Sequence, residues 1–168
     1  MRRIPHIKAR AITLAASFMF CALAACADPI AHHEFSFGDV NRQENKGIEI
    51  LDYRYGNNKT IPTSPSADQL ASGHVPQFTS VGTFDPPGDS LYVKWRVKST
   101  GKVYQDTVDL KSRLPSNMNN KEIHFLIKDT KLYVYLIASE PHEVGKAYKR
   151  TCESLYPERL SNCGNYSY

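Results

Sequence analysis

Apolar and polar positions alternate without a break through residues 91–97, with Leu91, Val93, Trp95 and Val97 on one side and Tyr92, Lys94 and Arg96 on the other. That is the period of a strand with one buried and one wet face. Ser99-Thr100-Gly101 then turns the chain into residues 102–110, which predicts a hairpin. Residues 48–55 mix Ile, Leu and Tyr with charged residues and stop at Gly56-Asn57-Asn58, a strand and its turn. Residues 77–84 form a further candidate strand, ended by Asp85-Pro86-Pro87-Gly88. Residues 123–127 and 132–138 are rich in β-branched and aromatic side chains, and Lys128-Asp129-Thr130-Lys131 is short enough to join them as a second hairpin. Leu132-Tyr133-Val134-Tyr135-Leu136-Ile137 is apolar on both faces, which predicts a central strand and would be an aggregation hazard at an open edge. One weak helical turn is expected near residues 66–71. Strands at short intervals, separated by Gly, Pro and Asn, predict a mainly β domain: an antiparallel β-sandwich or small barrel with Trp95 as a core anchor.

The two ends of the chain have a different texture. Arg2, Arg3, Lys8 and Arg10 precede an uncharged, mostly apolar run from Ala11 to Leu23, shorter than a membrane-spanning helix. Leu23-Ala24-Ala25-Cys26 follows and matches a bacterial lipobox, in which the Cys is acylated and becomes the new N-terminus. The expected organisation is a lipoprotein signal peptide over 1–25, a lipid-anchored tether over 26–46, and a single β-rich domain over 47–168. Ala27 at the position after Cys26 favours the outer membrane, facing the periplasm; the alternatives are an inner-membrane lipoprotein or, because Ala25-Cys26-Ala27 is also an A-x-A cleavage pattern, a soluble periplasmic protein. Residues 146–168 carry Tyr148, Tyr156, Tyr166 and Tyr168 around a Cys pair and read as an irregular flap on the sandwich.

Charge and cysteine usage fit this picture. The formal net charge of +4 lies entirely in the signal segment, so the mature chain is balanced and carries no basicity that would argue for nucleic-acid binding. Once Cys21 leaves and Cys26 is acylated, only Cys152 and Cys163 remain, and two close thiols in an oxidising compartment are expected to pair. A zinc site is disfavoured, because no His lies within or beyond that loop.

Candidate chemistry is sparse. There is no G-x-S-x-G elbow, Gly-rich phosphate loop or H-E-x-x-H motif. His32-His33-Glu34 has metal-ligand residue types, but it falls in the expected tether and is read as solvated. His74, His124 and His142 are scattered and read as surface or packing residues. Asp106 and Asp109 are an odd number of residues apart, so a strand sends them to opposite faces. No catalytic residue, cofactor or metal site is assigned. The ten Tyr suit a protein-binding surface as well as they suit the core edges of a β domain.

At Ile50-Leu51-Asp52-Tyr53-Arg54-Tyr55-Gly56, Tyr92-Val93-Lys94-Trp95, Val108-Asp109-Leu110-Lys111 and the paired segments around Ile123-His124-Phe125 and Leu132 to Leu136, the chain resembles small proteobacterial envelope lipoproteins. Over residues 47–138 it is similar to lipoproteins that act as immunity proteins against type VI secretion lipase effectors. The resemblance implies a binding function without catalytic residues: capture of a protein partner, a toxic phospholipase effector, by a module held at the membrane. The alternative is a structural or assembly lipoprotein of an envelope or secretion complex. Since strands with one apolar face are committed to the core, contacts are expected from the loops 57–74, 85–89 and 112–120. The candidate contact residues are Asn57, Asn58, Lys59, His74, Asp85, Asp89, Arg113 and Asn117.

Overall fold

A computed structural model describes residues 32–39, 44–56, 63–83, 86–139 and 150–157. The described strands are β1 (His33–Phe37), β2 (Ile48–Tyr55), β3 (Thr79–Thr83), β4 (Ser90–Val97), β5 (Val103–Asp109), β6 (Lys121–Lys128), β7 (Lys131–Ser139) and β8 (Arg150–Tyr156), with one short helix, α1 (Ala67–Ser72). They form a five-stranded sheet in the order β3-β1-β6-β7-β8 and a three-stranded sheet in the order β2-β4-β5. The inner faces meet through aromatic rings: Phe35 stacks on Tyr55 at 4.9 Å and Phe37 meets Tyr53 edge-on at 4.7 Å. One core runs through both layers, so the architecture is the expected β-sandwich.

The alternating segment behaves as its period demands. In β4, Leu91, Val93, Trp95 and Val97 are buried, while the residues between them are only partly covered. The Trp95 indole N–H donates to the carbonyl of Asp129 at 3.1 Å, which ties the small sheet to the β6–β7 turn. β7 lies between β6 and β8 and is buried on both faces, with Val134 and Leu136 toward the core and Tyr135 and Ile137 on the outer side. α1 opens on a capping box: the Ser66 hydroxyl accepts from the Gln69 N–H, and the Gln69 side chain accepts from the Ser66 N–H.

Three expectations are corrected. The tether was expected to run from residue 26 to 46, yet His33–Phe37 is an interior strand of the large sheet, with His33, Phe35 and Phe37 fully buried. Two Phe on one face supply the apolar area that draws the segment between β3 and β6. Because β1 runs parallel to β6, the large sheet is mixed and not purely antiparallel. The expected irregular flap also contains regular structure, since Arg150–Tyr156 pairs along β7 as the edge strand β8. The Tyr156 hydroxyl donates to Asp106 at 2.9 Å, bridging the β8 and β5 edges of the two sheets, and that hydrogen bond, with burial and the carboxylate's charge behind it, raises the Tyr156 pKa.

Among the described residues, no helix is long and apolar enough to cross a membrane. Cys26 and Cys163 lie outside the described residues. Cys152 stands on β8 opposite Ile137 and is engaged, not a free thiol.

Candidate functional site

Strand directions sort the connections to two ends of the sandwich. β2 and β5 finish, and β4, β6 and β1 begin, at one end. Two of the three loops singled out from the sequence meet there. Pro86, Pro87, Gly88 and Asp89 form one wall of a groove of about 260 Å³, and Lys111, Leu114, Pro115 and Ser116 form the other. The walls are joined through the Asp89 carbonyl, which accepts from the N–H groups of Leu110 at 2.7 Å and Lys111 at 3.1 Å. Beneath the first wall, Gly88 packs against Gly56 so closely that a Cβ on Gly88 would stand 2.6 Å from the Gly56 Cα. Only glycine admits that approach.

The floor under this end is a polar pair inside an apolar core. His33 Nε2 is hydrogen-bonded to the Tyr55 hydroxyl at 3.0 Å. Burial pushes the Tyr55 pKa up to about 12, while a hydrogen bond from the Gly88 N–H works against the rise. Tyr55 is therefore a neutral phenol that anchors the glycine of the groove wall to β1.

The candidate contact residues fall into distinct places. Asp89 lines the groove and is exposed. Asn117 is exposed on the neighbouring loop, where its Oδ1 accepts from the Asn119 N–H at 2.9 Å and shapes the turn. Arg113 turns the other way: a guanidinium N–H donates to the Leu155 carbonyl at 2.7 Å and pins β8. His74 is exposed just beyond the Gly73 cap of α1 and does not line the groove. Asn57, Asn58, Lys59 and Asp85 lie outside the described residues, as does His142.

The structure also assembles a cluster that no spacing announced. On the outer side of the large sheet, Ser36, Glu122 and His124 come together from β1 and β6. The Ser36 hydroxyl donates to Glu122. His124 Nδ1 lies 2.6 Å from Ser36 Oγ, and with the hydroxyl proton committed to the carboxylate, the imidazole is the donor. His124 Nε2 forms an ion pair with Glu44 at 3.2 Å, and Arg150 approaches Glu122 at 3.7 Å. Burial by itself pulls the His124 pKa down, but hydrogen bonds and charge from Glu122 and Glu44 override it and hold the ring above its ordinary value. Burial likewise pushes Glu122 up, and hydrogen bonds from His124 and Ser36, with the nearby cations, bring its carboxyl below the ordinary value.

Hydroxyl, imidazole and carboxylate are the parts of a nucleophilic triad. Here Ser36 is 4% exposed and its hydroxyl is bonded directly to a carboxylate, so the geometry is that of an ionic strut between β1, β6, β8 and Glu44. Sequence reading missed it because its members are 86 and 88 residues apart. The alternation of Ser36 with the two Phe, and of His124 with Ile123 and Phe125, was the available signal. His32-His33-Glu34 is not the solvated segment it was expected to be, because His33 faces the core. Among the described residues, no group of three or more His, Cys, Asp or Glu is arranged to hold a metal ion.

Comparison with protein-family models, with characterised proteins and with solved structures finds no match for this chain.

Proposed function

We propose that this chain is a bacterial envelope lipoprotein whose sandwich is a protein-binding module, and specifically an immunity protein that neutralises a periplasm-directed, lipase-like effector delivered by type VI secretion. The observation that carries the reading is the groove: the segments that enter β4 and leave β5 are joined by backbone hydrogen bonds into one concave surface at a single end of the sandwich. Such a surface on a rigid scaffold suits recognition, because little conformational freedom is lost when a partner docks. The lipobox at Cys26 supports placement at the membrane, with outer-membrane sorting favoured by Ala27. The function is binding, without cofactor, metal or nucleic acid. An assembly role in an envelope complex is the competing reading, and it would use the same surface.

The test is co-expression with an effector encoded beside the gene and directed to the periplasm. Wild type restores growth, and Lys111→Glu together with Ser116→Arg, two exposed groove positions, abolishes both protection and co-purification while the circular dichroism spectrum is unchanged. Protection that survives these changes places the interface elsewhere. A chain that neutralises no periplasmic effector is an assembly lipoprotein. Lipidation is checked separately: Cys26→Ala moves the protein out of the membrane fraction, and unchanged fractionation removes the lipoprotein reading.

A further inference from the structure

The end of the sandwich that carries the groove is also the end at which the chain enters. His32 precedes β1, and its backbone N–H donates to the Asn119 side chain at 3.2 Å, on the loop next to the groove wall. Five residues separate His32 from Cys26. Even fully extended, that chain spans only about 20 Å. The opposite end, with the turns at Gly101 and Asp129, is farther from His32 by the length of an eight-residue strand such as β6, roughly 27 Å.

We infer that the groove end is the membrane-facing end of the domain, and that the groove receives a protein seated on the same bilayer, which offers it an apolar side chain. The inference rests on the proposal that Cys26 is acylated. A short tether rooted at one end of a rigid body keeps that end near the surface and leaves the far end to project. A partner approaching from open solvent would meet the 98–102 and 129–130 turns before it met the groove. The lining sets the partner's chemistry. Pro86, Pro87, Leu114 and Pro115 supply the apolar half of the lining, and each proline has its φ set before binding. Asp89 and Lys111 flank it with one charge of each sign. An anionic lipid surface is attracted by an excess of Lys and Arg, which this lining does not have. A protein side chain fits it better than a headgroup does.

The experiment uses the full-length protein isolated from bacterial membranes, with its N-terminal acylation read by mass spectrometry, reconstituted in phosphatidylethanolamine–phosphatidylglycerol vesicles. Ser116→Cys on the groove wall and Thr130→Cys on the far turn each carry a fluorophore. Both positions are exposed. With a nitroxide on the lipid headgroup, the probe at residue 116 is quenched several-fold more than the probe at residue 130. Equal quenching, or stronger quenching at residue 130, overturns the orientation. A nitroxide deep in the acyl chain leaves the residue 116 probe bright; strong quenching there means that lipid itself fills the groove, and the protein partner is wrong. Absence of acylation in the mass spectrum overturns the lipoprotein reading itself, and the inference with it, before any fluorescence is measured.

Discussion

The primary amide of Gln77 closes both backbone groups of Ile50: its Oε1 accepts from the Ile50 N–H at 2.8 Å, and its Nε2 donates to the Ile50 carbonyl at 2.9 Å. One side chain thus replaces a neighbouring strand along the outer edge of β2, beside the irregular register between Ile50 and Asp52. An unpaired strand edge is a template for pairing with another chain. Gln77→Leu keeps the bulk and removes both bonds, and is expected to cost about 1–3 kcal/mol. Chemical denaturation measures the loss, and light scattering shows whether the opened edge self-associates. A change within error would mean that water satisfies Ile50 equally well.

Phe35 separates a tether from a core strand. It is fully buried, stacked on Tyr55 and within 6.2 Å of the Phe37 and Tyr53 ring centres. Phe35→Ala is expected to destabilise the domain by about 3–5 kcal/mol. Removal of residues 1–37 is expected to leave no cooperative unfolding transition. If the truncated protein melts as sharply as wild type, residues 33–37 are dispensable after all.

The His124 cluster makes stability depend on pH from both sides. The His124 pKa is raised in the folded state, so its contribution is complete below the ordinary value of 6.5 and is lost as pH rises through the folded value. The Glu122 pKa is lowered, so its contribution is complete above the ordinary value of 4.5 and is lost as pH falls through the folded value. The cluster therefore stabilises most between those two ordinary values. His124→Gln is expected to flatten the alkaline side of the stability profile and, because His124 is the first of the groups that hold the Glu122 pKa down, to weaken the acidic side as well. It should also cost about 3 kcal/mol at pH 6 by stranding the Glu44 and Glu122 carboxylates. Urea denaturation across the range reads both effects, and a variant with an unchanged alkaline slope would place the titration elsewhere.

Cys152 and Cys163 are proposed to pair. Protein from the periplasm, alkylated without reductant, should show neither thiol labelled in its intact mass. Cys152 lies on the edge strand β8, so reduction should speed amide exchange in β8 while leaving β4 protected. Labelling of both thiols in folded protein would remove the pairing.

What the sequence determined by itself follows from local period and turn chemistry. β4 declared itself because every second residue of 91–97 is apolar, and its hairpin with β5 because Ser99-Thr100-Gly101 cannot continue a strand. The β6–β7 hairpin and the central place of β7 were equally legible, since a run apolar on both faces needs cover on both. Tertiary structure decided the rest. His33–Phe37 is five residues with a His and a Glu among them, and only the gap between β3 and β6 makes it a strand. In Arg150–Tyr156 just one residue, Leu155, is buried, so the strand exists because β7 offers it a backbone edge. The groove walls flank the open end of the legible β4–β5 hairpin, whereas the His124 cluster joins residues that no local pattern connects. Their geometry is set by which strands lie side by side, and that is fixed by the burial of the whole core.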